Sequence, residues 1–261
     1  VDSCPKCGGK LKGSEEVFDT WMDSSITPLY NSFWIRDRDL FKKLYPMSLR
    51  PQSHDIIRTW AFYSLVRGKK LAGKRPWDTI MMGGFILAPD GTPMHASKGN
   101  AVDPLEFHRE YGADPIRYYA ATCTLGKDHP FRIKDVKRGS QILRKLYNME
   151  KLLSRSFESL EPTELLGILE RVRGNKSILC PVDKWILHRY SEVVKEATKA
   201  CDSYQFDKAV KAVVDFMWLE VADHYLEIVK GRIKDGEPGT VYTAFNLGLC
   251  IPKLLAPFLP H

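Results

Sequence analysis

The stretch Pro93-Met94-His95-Ala96-Ser97-Lys98-Gly99-Asn100 lies between an apolar strand-like run and a helix start. Gly91 and Gly99 flank it, and Ser97 and Asn100 supply short polar donors. That make-up suits a loop that cradles phosphate. Such loops carry several cations, yet between Asp90 and Asn100 only Lys98 is present, with His95 as a second donor. A second stretch, Cys4-Pro5-Lys6-Cys7-Gly8-Gly9, is a knuckle of the zinc-ribbon type, a tight turn that aims two thiolates at one metal. Tetrahedral zinc takes four ligands and no second close pair of cysteines follows, so Cys4 and Cys7 form half a site; a redox dithiol or a plain turn are the alternatives. The third stretch, Lys127 to Arg155, holds nine Lys/Arg against Asp128, Asp135 and Glu150. It reads either as a nucleic-acid contact or as a solvated helix face.

These groups sit in a chain of 261 residues, 44% hydrophobic and 27% charged, with a net charge of +7. The composition is that of a globular protein with a sizeable core, and the basic balance favours an anionic partner. No apolar run is long enough to span a membrane, and the N-terminus lacks the apolar centre of a signal peptide. The first residue is Val, and "LLAPFLPH" stops inside an apolar run, so the expectation is a piece of a longer chain. Cys123, Cys180, Cys201 and Cys250 fall at apolar helical positions and read as free thiols of a reducing cytoplasm.

Strand-like and helix-like pieces alternate over residues 17–125. "VFDTW" is a short β-rich run, and "HDIIRTWAFYSLVR" shows one apolar helical face through Ile57, Trp60/Ala61 and Ser64/Leu65. Asp78 to Leu87 reads as one buried parallel strand ending in a Pro-Asp-Gly turn. Asp103 is an N-cap with Pro104 in the first helical position and Glu106 in the capping-box place; Gly112 closes that helix. The alternation predicts an α/β layer, doubly wound. From Ile133 onward the periodicity is helical, broken at Asp202-Ser203 and interrupted at Pro252, with residues 158–181 as a mixed connector. Trp185, Phe206, Trp218 and Tyr225 are expected in the core of this bundle.

Taken in order, "DTWMDSS", "RPQSHDIIRTWAF", "GGFILAPDGTPMHASKGNAVDP", "YGADPIRYYAA" and the long segment from Asp183 to Arg232 resemble the class I aminoacyl-tRNA synthetases. The resemblance covers nearly the whole chain. Within the class it is nearest the Val/Ile/Leu group, and "FDTWMDSSITPL" with the aliphatic "HDIIRTW" is most similar to valine-specific members of archaeal type. An isoleucine-specific enzyme stays an alternative, as does a non-catalytic tRNA-binding module. The implied fold is α/β plus all-α: the second half of a Rossmann-type nucleotide-binding domain followed by a helical-bundle anticodon-binding domain. The implied segments are 1–16, a half ribbon on the return from an inserted domain; 17–125, the catalytic half; 126–155, a basic stem-contact region; and 156–261, a truncated anticodon-binding bundle.

The resemblance also implies the chemistry, ATP-dependent activation of valine and its transfer to tRNA. The "PMHAS" loop aligns with the family's Lys-Met-Ser-Lys-Ser loop: Met94 and Ser97 match, and Pro93 and Ala96 stand where the two lysines would be. Lys98 and His95 are then the candidate catalytic groups, with Ser53, Asp55, Met94, Ser97 and Lys98 binding ATP. Asp55 falls where strand gives way to helix and would hold the ribose hydroxyls; its alternative is a plain N-cap. Trp21, Ile56 and Trp60 match the amino-acid pocket, and Arg138, Arg144 and Lys145 are the tRNA candidates. ATP enters with Mg2+; Zn2+ would be structural at Cys4 and Cys7. The partners implied are valine, ATP and the valine tRNA isoacceptors, for a cytoplasmic monomer without membrane contact. The family's His-x-Gly-His signature does not occur in this sequence, so this chain alone is not expected to activate an amino acid.

Overall fold

The computed structural model describes residues 2–261; Val1, the start of the first segment, lies outside the described residues. Two compact units divide at Gly83–Gly84.

The first unit opens with the Cys4–Cys7 turn, bridged by Ser3 and Lys10. The run at residues 17–21 forms no strand. It is followed instead by α1 (Trp21–Ser24), because Asp19 accepts the Trp21 amide at 2.9 Å and turns the chain into a helix. Then come α2 (Thr27–Asn31) and α3 (Arg38–Leu44), the latter capped by Asp37, whose carboxylate accepts the amides of Asp39 and Leu40. Strand β1 (Met47–Ser53) runs parallel to β2 (Trp77–Gly83), with Met47 opposite Trp77 and Ser53 opposite Gly83. Between them a 3-10 turn (His54–Ile56) and a π-helical turn (Ile57–Ala61) lead into α4 (Phe62–Ala72). The wide turn re-aims the apolar face. Trp60, Ala61, Ser64 and Gly68 are buried, while Ile57 and Leu65 stay exposed.

The second unit begins where the long apolar run breaks. Instead of one strand to Leu87, β2 stops at Gly83 and a separate β3 (Ile86–Leu87) pairs parallel with β4 (His129–Pro130). The cause is a backbone crossing: a Cβ on Gly84 would lie 2.0 Å from the Lys127 carbonyl oxygen. Helices α5 (Pro104–Tyr111) and α6 (Ala113–Thr122) separate β3 from β4. Asp103 caps α5 through the Leu105 amide at 2.9 Å, as its sequence position requires.

The bundle follows: α7 (Ile133–Ser154), α8 (Pro162–Gly174), α9 (Pro181–Asp202), α10 (Phe206–Asp215), a π-helical segment (Phe216–Tyr225), α11 (Leu226–Lys234) and α12 (Pro238–Leu255). The connector at 158–181 therefore holds a full helix, α8, opened by Pro162 at its first turn. Ile142, Met149, Leu153, Ile186, Val213, Met217 and Leu247 share one buried core with Tyr225. Trp218 is partly buried against it, but Trp185 is 39% exposed, contrary to the expectation of a core position.

Candidate functional site

At the C-terminal end of β1, the 3-10 and π turns bring three of the sequence candidates together. Trp21 and Ile56 pack against a buried cluster of Trp60, Ala61 and Trp77. Trp60 is fixed from several sides. Its indole N–H donates to the Ser24 carbonyl at 2.8 Å, its ring stacks on Trp77 at 5.3 Å, and the Arg50 guanidinium lies 3.8 Å from its centroid. Arg50 is a partner that sequence reasoning missed. Burial pulls its guanidinium below the ordinary arginine value, a cost that the cation–π contact offsets in part.

The same strand end holds polar atoms with nothing to bond. Arg50 Nε, Gln52 Oε1, Ser53 Oγ and Thr59 Oγ1 are shielded from solvent and have no hydrogen-bond partner among the described residues. Unmet buried polar groups are uncommon, and each calls for a partner such as a water or a ligand. Asp55 is exposed within the 3-10 turn, whose N-cap position is Ser53, so it is not the N-cap.

The Pro93–Asn100 loop, in the second unit, is held by side chains of its own. The Asn100 amide oxygen accepts the His95 N–H at 2.9 Å, and its nitrogen donates to Thr92 Oγ1 and the Pro93 carbonyl, both at 3.1 Å. Asp90 accepts the Thr92 amide and hydroxyl; these bonds, helped by the charge of Lys98, hold its carboxyl below the ordinary range. Gly91 and Gly99 adopt φ of +83° and +64°, which favours glycine at both ends. Met94 packs against a cluster formed by Tyr119, Phe131 and Val136, anchoring the loop. His95, Ser97 and Lys98 are left exposed at its tip.

On α7, Arg138 and Arg144 are exposed and make no ion pair among the described residues. Lys145 differs. It donates to Asp223 at 2.6 Å and lies 5.2 Å from the Trp218 ring, a pairing across 78 positions that local sequence does not reveal.

The Cys4–Cys7 turn has the local form of a metal knuckle: the Lys6 and Cys7 amides, then the Cys7 thiol, hold the Cys4 thiol below its ordinary pKa. Yet no group of three or more His, Cys, Asp or Glu able to hold a metal occurs among the described residues. Two thiols do not complete a zinc site, and the expectation of zinc is not supported by this chain's own residues. No described helix is long and apolar enough to cross a membrane.

Comparison with known proteins bears on these arrangements. Residues 2–132 match the family "tRNA synthetases class I (I, L, M and V)", and residues 183–261 match "Anticodon-binding domain of tRNA ligase". The chain is 40% identical to the valine--tRNA ligase of Methanococcus maripaludis, over 98% of its own length and 29% of that protein's. It is 39% identical to the valine--tRNA ligase of Methanocaldococcus jannaschii, over 99% of its length and again 29% of the relative's. It thus spans under a third of those relatives. In fold it is similar to the LeuRS–tRNA–LeuAMS complex of Agrobacterium radiobacter, with a TM-score of 0.69 at 20% identity over 99% of this chain and 32% of that one. A methionyl-tRNA synthetase of Mycobacterium tuberculosis with methionyl-adenylate gives 0.68 at 21% identity, over 92% of this chain and 48% of that one. These likenesses agree with a Rossmann-like part followed by a helical anticodon-binding part.

Proposed function

The chain belongs to the class I tRNA synthetases, and from that premise we propose that it serves the ATP-driven ligation of valine to tRNA. The observation that carries this reading is the 40% identity with a valine--tRNA ligase along nearly the whole chain. In the proposed reaction a valine carboxylate oxygen attacks the α-phosphorus of ATP and pyrophosphate leaves. A ribose hydroxyl at the tRNA end then attacks the adenylate carbonyl and AMP leaves. Neither step needs a nucleophilic side chain; both need positioning and charge stabilisation.

Trp21, Ile56 and Trp60 form the apolar wall for the aliphatic side chain. Such a wall separates aliphatics differing by one methylene by only about 1–3 kcal/mol. Ser53 and Asp55, at the carboxyl end of β1, are assigned to the ATP ribose, at the strand end where doubly wound sheets bind nucleotides. Lys98 and His95 face the phosphates, and Ser97 contributes a hydroxyl. Met94 serves the loop by packing. Mg2+ arrives on the ATP phosphates, as this hard cation commonly does. Arg138 and Arg144 contact the tRNA backbone, and Lys145 joins them only on release from Asp223. The segments 1–16, 17–125, 126–155 and 156–261 keep the roles that the resemblance implies.

ATP–pyrophosphate exchange by the intact protein, with valine, isoleucine and leucine in parallel, tests the reading. Exchange with valine should exceed the others by at least about tenfold; exchange led by isoleucine would overturn the specificity. The second reading, a non-catalytic tRNA-binding module, draws on the absence of both motif lysines from the loop. It predicts tRNA binding without exchange.

A further inference from the structure

Trp60, one wall of the apolar pocket assigned above, is gripped from several elements at once. Ser24 of α1 accepts its indole N–H at 2.8 Å, and Trp77 of β2 stacks on it at 5.3 Å. The guanidinium of Arg50, on β1, lies 3.8 Å from its ring centroid. We propose that Arg50 is a specificity-determining positioning residue: by clamping the Trp60 ring, it keeps the pocket from yielding to a side chain one methylene larger than that of valine. The proposal rests on the valine-activating reading above and deepens it by naming the group that makes the wall rigid.

Each contact constrains a different freedom. The bond to Ser24 fixes one edge of the indole, and because Ser24 closes the helix that Trp21 opens, it also sets Trp60 against Trp21. The stack on Trp77 is looser, since offset rings slide over one another at small cost. The cation opposes that sliding, because its attraction depends on lying over the ring. Arg50 is itself fixed by the sheet: it stands opposite Ile80 of β2, which packs against the same aromatic cluster. The backbone at Trp60 gives less support. It belongs to the π-helical turn Ile57–Ala61, where the regular α-helical ladder is interrupted.

Packing alone does not account for an arginine at this place. Burial pulls the guanidinium below its ordinary value and no carboxylate counters that loss. Its Nε is shielded from solvent without a hydrogen-bond partner among the described residues. A leucine or methionine would fill the same space without the lost hydration. What neither supplies is a charge to hold the indole. An apolar pocket rejects an extra methylene only when its wall cannot move aside, because a yielding wall turns a clash into a small shift.

The test is ATP–pyrophosphate exchange by the intact protein, without tRNA, with valine and isoleucine as separate substrates. Arg50→Met keeps an unbranched side chain and removes the charge. It should lower the valine-over-isoleucine ratio of kcat/KM about tenfold, through a smaller KM for isoleucine, while kcat for valine stays within about threefold. Arg50→Lys keeps a cation but loses the planar face, so the ratio should fall by only about threefold. A merely structural role would slow both substrates alike and leave the ratio where it was. A ratio within about twofold of the wild type in Arg50→Met therefore overturns the proposal. Should Arg50→Met fail to fold, Arg50→Lys decides alone, and an unchanged ratio overturns it. If the wild type exchanges with neither amino acid, or prefers isoleucine, the valine reading itself fails.

Discussion

In the bundle, Asp183 is fully buried and both of its oxygens are engaged. One accepts the Tyr225 hydroxyl at 2.8 Å; the other accepts Arg232 at 2.9 Å and the Cys180 amide at 3.3 Å. Burial, and then the Asp183 charge, push the Tyr225 hydroxyl pKa up, and Arg232 also reaches Glu237 and the Cys180 sulfur. At the end of β1 the pattern is reversed: Arg50, Gln52, Ser53 and Thr59 bury polar atoms that meet nothing among the described residues. The contrast separates two uses of a buried polar group. A closed network specifies packing, whereas an open set at a strand end leaves hydrogen-bonding capacity for a water or a ligand.

The largest effect should come from opening the closed network. Asp183→Ala leaves the buried Tyr225 hydroxyl without its acceptor and takes one of several partners from the partly buried Arg232, and should cost about 2–3 kcal/mol in urea unfolding. A cost below about 1 kcal/mol would mean that the network carries no weight. The exposed loop tip should behave in the opposite manner. Lys98→Ala should leave the unfolding midpoint unchanged and slow adenylation by the intact protein about a hundredfold, since a charge aimed at phosphate acts in the transition state. A near-normal exchange rate would place the needed cation elsewhere.

Glu150 lies between the two extremes, an open acceptor within the bundle. Its folded value of about 7 exceeds the ordinary 4.5, so the folded state holds the proton more firmly. The contribution of this group to stability is then most favourable below about pH 4.5 and falls as pH rises towards 7. Glu150→Gln should remove that loss, stabilising the protein by about 1 kcal/mol at about pH 8 and by much less at about pH 5, after allowance for partial solvent screening. Equal differences at both pH values would contradict this. The smallest effect is expected at Ser53. Ser53→Ala removes a hydroxyl that bonds nothing among the described residues, so stability should shift by about 0.5 kcal/mol or less while KM for ATP rises. A loss above about 1 kcal/mol would reveal a partner and break the contrast.

Local rules made much of this legible. The Asp103–Pro104 start of α5, the stripes of α7 and α9, and the grouping of Trp21, Ile56 and Trp60 all follow from short-range patterns or from motif resemblance. What escaped depends on distant chain. The apolar run breaks at Gly84 because residue 127 crosses it, Lys145 is claimed by Asp223, and Arg50 finds the Trp60 ring through a π-helical turn. Helix α8 lacked a clear apolar stripe, since only Val172 of its residues is buried.

Asn100 ties Thr92, Pro93 and His95 together with one side chain, between two glycines in left-handed conformation. A slack loop would lose about 1–2 kcal/mol of backbone entropy for each residue ordered on meeting its ligand. A loop already stapled has surrendered most of that freedom during folding. The one cation it carries, Lys98, therefore sits on a backbone whose ordering is already complete in the folded chain.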